Sequence, residues 1–141
     1  MKRHASAVWS GDLKSGKGRL STQSGVLDGN NYGFKTRFED EAGTNPEELL
    51  GASHAGCYAM ALSMILGQKG LTADVINAKA VVTLDEVEGG FAVTRSALTV
   101  RAKVPGASED DFKEAAEAAK TGCPISKALD IEITLDAALE D

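Results

Sequence analysis

TNPEELLGASHAGCYAMALSMILGQKG, residues 44–70, predicts a long helix around which the other elements are organised. Thr44 or Asn45 can cap it, and Pro46 fits the first helical position, where no N–H is needed. Glu47 and Glu48 fall in the first turn, on the favourable side of the helix dipole. Beyond them the run is apolar almost all the way round, from Leu49 and Leu50 through Tyr58 and Met60 to Leu66. A helix apolar on every face is a buried helix. Its Gly, Ser and His residues, and the shortness of the apolar run, argue against a bilayer span. Gly70 is a natural stop. A continuous helix of about 25 residues runs roughly 37 Å. A globule of this length has a radius of gyration of about 14 Å. Either the helix breaks near Gly51 or Gly56, or it runs through something larger than one chain.

At 141 residues the chain is expected to form one domain, residues 1–141, with enough length for a core. Hydrophobic and charged shares of 43% and 26% are those of an ordinary soluble protein. A net charge of −6 without a basic tract, and only 5% aromatics, make nucleic acid an unsuitable partner. The N-terminus MKRHASAVWSGDL carries no apolar signal core, so a cytoplasmic location without a membrane partner is expected. Two cysteines form no disulfide scaffold; in a reducing compartment such a pair is either inert or redox-active.

In chain order, residues 3–10 and 17–26 read as strands. LDGNN at 27–31 reads as a turn, and Tyr32 to Phe38 as a third strand with Arg37 on its polar side. Residues 75–87 alternate, with Ile76, Ala78, Ala80, Val82 and Leu84 inward. Glu88-Gly89-Gly90 turns the chain, and residues 91–104 return as a partner strand. Ser108 caps a helix that stops near Gly122; Cys123-Pro124 opens a short one, and 131–139 is the last strand. Strands and helices are segregated, which predicts an α+β fold with antiparallel sheet rather than βαβ units.

Cys57, in mid-helix, has a plain reading as a small buried apolar side chain, and composition alone weighs that equally with a reactive thiol. Cys123 sits near the start of a short helix, where a thiolate is favoured; its plain reading is a cap-position residue. The pair means more than either alone, because a peroxide-reacting thiol escapes over-oxidation through a second thiol. Glu47 lies ten residues before Cys57, about 15 Å along one straight helix and roughly 80° off its face. On the residues alone it is a helix-start carboxylate, and Arg37 a solvated charge. His54, three residues before Cys57, can touch the same turn, but no third orienting partner is visible for a Cys–His nucleophile. Neither His4 nor His54 has metal-ligand spacing with the cysteines. There is no phosphate loop, no GxSxG and no CxxC.

GVLDGNNYGFKTRFEDEAGTNPEELLGASHAGCYAMALSMILG (25–67) resembles the signature of the OsmC/Ohr family of thiol-dependent peroxidases, in its OsmC branch. VTLDEVEGGFAVTRSALTVRAKVPG and AKTGCPISKAL are similar to the same family, so the resemblance covers nearly the whole chain. It implies antiparallel sheets packed around a long buried central helix, in an intertwined homodimer with sites at the subunit interface. It implies Cys57 as the peroxidatic cysteine, Cys123 as the resolving one, and Arg37 and Glu47 as the polar pair around the thiol. The YGFKTRF segment distinguishes the OsmC branch from the Ohr branch, whose arginine lies nearer the N-terminus. A dimer would let Glu47 or Arg37 of one chain approach Cys57 of the other, and would cover a helix too apolar for one small domain. The implied reaction reduces an organic hydroperoxide, and hydrogen peroxide more weakly, through a Cys57 sulfenic acid and a Cys57–Cys123 disulfide. An external dithiol reduces that disulfide, and no cofactor or metal takes part. The apolar Leu49, Leu50, Met60 and Met64 suit an organic tail. The competing readings are a non-catalytic stress or binding protein of this fold, an Ohr-type hydroperoxide resistance protein, and a general thiol–disulfide oxidoreductase.

Overall fold

Gly18 lies beneath the ring of Tyr32, where a Cβ would stand 2.3 Å from Cε1, so only glycine lets the second and third strands pair here. The computed structural model describes residues 1–141, and they fall into two units, Met1–Leu49 and Leu50–Asp141. In the first, β1 (Ala5–Ser10), β2 (Lys17–Thr22) and β3 (Asn30–Tyr32) make an antiparallel sheet in that order. β2 ends at Thr22 because the chain turns there: the Thr22 N–H bonds the Leu27 carbonyl and Thr22 Oγ1 accepts the Leu27 N–H.

The expected third strand over Tyr32–Phe38 is corrected. Strand pairing stops at Tyr32, and Phe34–Phe38 is a one-turn helix, α1. Its aromatic and β-branched residues favour a strand, but local hydrogen bonds override that preference. Thr36 Oγ1 accepts the Gly33 N–H at 2.8 Å, and the Arg37 N–H bonds the Gly33 carbonyl at 3.2 Å. The turn stacks Phe34 on Phe38, ring centroids 4.9 Å apart.

The next helix, α2, runs from Pro46 to Gln68 without a break at Gly51 or Gly56. Asn45 is its cap: Oδ1 accepts the Glu48 N–H at 2.8 Å. Its buried residues are Gly51, His54, Tyr58, Ala61, Leu62 and Leu66, spaced by three and four, and so lie on one face. The expectation of burial all round is therefore corrected for the single chain. Met60 and Met64, on another face, are 77% and 60% exposed.

In the second unit β4 (Val75–Val87) and β5 (Gly90–Lys103) form a long antiparallel hairpin. Pairing steps from Thr83↔Arg95 to Leu84↔Val93, so Thr94 is the extra residue of a bulge. The chain then makes α3 (Glu109–Gly122) and α4 (Pro124–Ala128) and returns as β6 (Glu132–Leu139), parallel to β5. This corrects the expected all-antiparallel arrangement: β5–α3–α4–β6 is a crossover unit within an α+β fold. The core joins Tyr58, Leu62 and Leu66 of α2 to Leu98, Val100 and Ala102 of β5, and to Phe112, Ala115 and Ala119 of α3. The Tyr58 hydroxyl donates to the Ala116 carbonyl at 3.1 Å, tying α2 to α3. Burial, with the Glu117 charge, holds that phenol above its ordinary pKa, so it stays a neutral donor.

Candidate active site

α1 and the start of α2 position Arg37 and Glu47. The Asn45 side-chain amide donates to the Thr36 carbonyl at 3.2 Å, which fixes the residue next to Arg37 against the cap of α2. Arg37 Nε then lies 3.1 Å from each Glu47 carboxylate oxygen, and Nη2 donates to Oε1 at 2.6 Å. The Glu47 side chain is only 12% exposed and that of Arg37 36%. Such a fork is geometrically specific and charge-assisted. The Arg37 guanidinium also lies 5.5 Å from the Phe38 ring centroid. Nη1 makes no bond within the chain, so its two hydrogens remain available to an oxygen of a bound molecule. The plain readings of Arg37 as a solvated charge and Glu47 as a helix-start carboxylate therefore give way to a paired cation and carboxylate.

In the second unit α2 and the α3–α4 junction bring the two thiols together. Pro124 has no N–H and biases the residue before it toward extended backbone. Cys123 accordingly takes φ −58° and ψ 126°, closing α3 and opening α4. Its side chain is fully buried, while Cys57 is half-buried. The sulfurs, 66 residues apart in sequence, stand 2.7 Å from each other and share one hydrogen bond. A disulfide bond needs about 2.05 Å, so a two-electron oxidation of the pair would require only a small closing movement to join them.

The two thiols are driven apart in acidity. Burial and the hydrogen bond to Cys123 push Cys57 up, against a contact from the Ile125 N–H. Burial also opposes a Cys123 thiolate, but hydrogen bonds from Cys57, from the Ser126 N–H and hydroxyl, and from the Ile125 N–H outweigh it and hold that thiol down. One negative charge can thus be carried by the pair, with a proton between the sulfurs.

His54 does not serve Cys57. It is fully buried, with Nδ1 2.7 Å from Ser96 Oγ and Nε2 2.8 Å from Ser126 Oγ. Burial lowers its pKa, so the ring is neutral. Sequence reasoning missed both serines, which lie 42 and 72 residues from His54. One signal was present: Ser96 shares the inward face of β5 with Leu98, Val100 and Ala102, an apolar row with one polar member. No cluster of three or more His, Cys, Asp or Glu side chains suited to a metal is present.

Residues 38–137 match the family model described as OsmC-like protein. The chain is 53% identical to the peroxiredoxin OsmC of Escherichia coli (strain K12) over 134 residues, 95% of this chain and 94% of that one. It is 30% identical to the organic hydroperoxide resistance protein OhrB of Bacillus subtilis (strain 168), over 79% of this chain and 80% of that one. The crystal structure of that OhrB superposes with a TM-score of 0.72 at 25% identity, covering 97% of this chain and 98% of the other. An OsmC-like protein from Vibrio cholerae superposes with a TM-score of 0.78, covering 98% and 99%; at 16% identity this likeness concerns the fold.

Proposed function

Since this chain belongs to the OsmC family, we propose that it is a cysteine-based peroxidase that reduces organic hydroperoxides to alcohols through Cys57. The observation that carries this reading is the contact of the two sulfurs at 2.7 Å, made by residues 66 apart in sequence. Cys57 is the attacking thiol because it is the one with solvent access; Cys123 is fully buried. The proton on Cys57 passes along the shared hydrogen bond to Cys123. The Cys57 thiolate then attacks the outer peroxide oxygen. An S–O bond forms, the O–O bond breaks, and the alkoxide leaves as the alcohol after taking up a proton. Cys123 condenses with the Cys57 sulfenic acid; an S–S bond forms and water leaves. An external dithiol returns both thiols by exchange.

Arg37 is the oxygen-binding cation of this reading, and Glu47 orients it by occupying Nε and Nη2. The apolar substrate tail has a match on α2. Met60 and Met64 follow Cys57 by three and seven residues, so all three lie on one side of the helix. Because the methionines are exposed in the single chain, we infer a homodimer that covers them, acting in the cytoplasm.

The test is a stoichiometric reaction with cumene hydroperoxide or hydrogen peroxide, followed by thiol titration and mass spectrometry. The expected result is rapid loss of both thiols, faster with the organic peroxide. Cys57→Ser should abolish it. Cys123→Ser should turn over once and stop at a sulfenate or beyond. A protein whose thiols persist would be a non-catalytic member of the fold, and loss of the first oxidation in Cys123→Ser but not in Cys57→Ser would reverse the two roles.

A further inference from the structure

Three side-chain contacts join α2 to the segment that runs from α3 into α4, and they fall in strict antiparallel order. His54 Nε2 lies 2.8 Å from Ser126 Oγ, the Cys57 and Cys123 sulfurs are 2.7 Å apart, and the Tyr58 hydroxyl donates to the Ala116 carbonyl at 3.1 Å. Cys57 and Tyr58 follow His54 by three and four residues, so the three share one side of α2. Their partners descend along the chain, Ser126, Cys123 and Ala116, which makes the thiol pair the middle rung of a short ladder. The flanking rungs are buried: His54 and Tyr58 are 0% exposed, Ala116 1% and Ser126 7%. The His54 rung is also pinned from behind. Nδ1 lies 2.7 Å from Ser96 Oγ on β5, so the ring cannot turn without giving up both contacts. Every buried side-chain nitrogen and oxygen has a partner, and opening either outer rung would strand one, at a cost above the net worth of the bond itself. Leu98, Val100 and Phe112 in the surrounding core pack without a preferred direction, whereas a hydrogen bond fixes distance and angle.

We propose that the His54–Ser126 and Tyr58–Ala116 bonds bracket the thiol pair, hold Cys57 and Cys123 at closing distance, and thereby favour their disulfide. The proposal rests on the reading of these cysteines as the pair that closes during turnover. Neither His54 nor Tyr58 hydrogen-bonds a sulfur. Both are positioning residues that act through the backbone, each within one helical turn of Cys57. The geometry of a disulfide is narrow: the two Cα atoms must stand about 4.4–6.8 Å apart, with the Cβ atoms facing each other. Cysteine is short, so its side chain cannot make up for a shift of one backbone against the other. A tie on one side alone leaves the end of α3 and α4 free to pivot about it. Ties on both sides remove the pivot. What the bracket supplies is proximity, so that the second thiol meets the first without a search.

The experiment equilibrates the protein with mixtures of reduced and oxidised glutathione and reads the fraction of Cys57–Cys123 disulfide by thiol alkylation and mass spectrometry. Two exchange steps pass two electrons from the cysteine pair to the glutathione disulfide and release two glutathione thiols. A substitution that weakens the reduced and oxidised folds alike leaves this equilibrium where it was, so a change reports positioning and not stability. Ser126→Ala and Tyr58→Phe should each lower the equilibrium constant about fivefold, the worth of one net hydrogen bond. Tyr58→Phe removes a single oxygen atom and keeps the test open if Ser126→Ala fails to fold. Lys69→Met is the control. It removes the ion pairs with Asp111 and Glu114 that tie the chain just past α2 to α3, away from the bracket, and should leave the equilibrium unmoved. Bracket variants with the parent's equilibrium constant would overturn the proposal. So would an equal fall in Lys69→Met, or a parent that forms no disulfide at any glutathione ratio. Should peroxide leave the parent's thiols intact, the peroxidase reading fails, and the glutathione equilibrium still judges the bracket on its own.

Discussion

His54 exchanges water for two serine hydroxyls, and burial then keeps it from charging. That exchange has a sign. The folded-state pKa lies below 6.5, its ordinary value, so just below that pH the unfolded chain binds a proton that the folded one does not. Stability contributed by the neutral ring is fully present above about 6.5 and is lost as pH falls below it, until the folded-state value is passed. The slope approaches about 1.4 kcal/mol per pH unit at most. Urea unfolding between pH 7 and 5 should therefore show declining stability in the parent, and His54→Gln should flatten that decline even though it lowers stability overall. A parent profile flat over this window would contradict a neutral buried ring. At this scale the sequence singled out Cys57, Cys123, Arg37 and Glu47 because each belongs to a short, specific stretch, and the structure pairs Arg37 with Glu47 and Cys57 with Cys123; their roles in the reaction are proposals. The sequence was read poorly where a contact depends on distant partners. Nothing near His54 in the chain announces Ser96 or Ser126, because only the packing of β5 and α4 against α2 brings them within reach.

α1 shows how a single turn can redirect a side chain, here that of Arg37. In a strand, Arg37 would alternate to one face of the sheet; in a helical turn it projects toward Glu47. Thr36 holds the turn through the Gly33 N–H. Thr36→Val keeps the shape of the side chain and removes the acceptor. It should cost about 1 kcal/mol of stability, the usual loss for a missing cap. It should also lower peroxidase activity by releasing Arg37, whereas Thr36→Ser should retain both. Equal activities in Thr36→Val and parent would show that the cap does not position Arg37. The misreading of this segment has a clear origin. Propensity records aromatic and β-branched residues, while the outcome here turns on one side chain folding back onto the backbone. β6 went astray differently. Its alternation correctly marked which residues face inward, but alternation is the same in parallel and antiparallel pairs. The deciding fact is that α3 and α4 carry the chain back to the starting end of β5, which no pattern within β6 encodes.

For the molecule as a whole, the uncovered side of α2 is the basis of the proposed homodimer. Two methionines exposed in the middle of the longest helix are unusual for a surface left to water, and such patches mark interaction sites. Met60→Asp should leave an isolated chain nearly untouched, since exposed substitutions usually change stability by less than about 0.5 kcal/mol. In a dimer that buries this side it should force dissociation. Sedimentation of the parent should give twice the 14.7 kDa chain mass, and of the variant the chain mass itself. A parent sedimenting as a single chain would remove the argument. The length and all-round apolar character of α2 are what led from the sequence to the expectation of a partner. Which of its sides the chain covers for itself was not legible, because no single helical face is polar enough to define the other.

The meeting of Cys57 with the α3–α4 junction also has a topological consequence. A bond between these sulfurs closes a covalent ring that contains β4, β5 and α3, and leaves residues 1–56 and the strand β6 outside as tails. The oxidised polypeptide is then a lariat with two ends, and the reduced one is linear. Closing a ring of this size removes denatured-state entropy worth on the order of 4 kcal/mol. A catalytic cycle through this disulfide, as proposed, would therefore alternate between two chain topologies with different resistance to denaturation. The difference persists after every non-covalent contact is gone. In denaturant the ringed chain has the smaller hydrodynamic radius, so its electrophoretic mobility without reductant reports directly which stage of turnover each molecule had reached when it was unfolded.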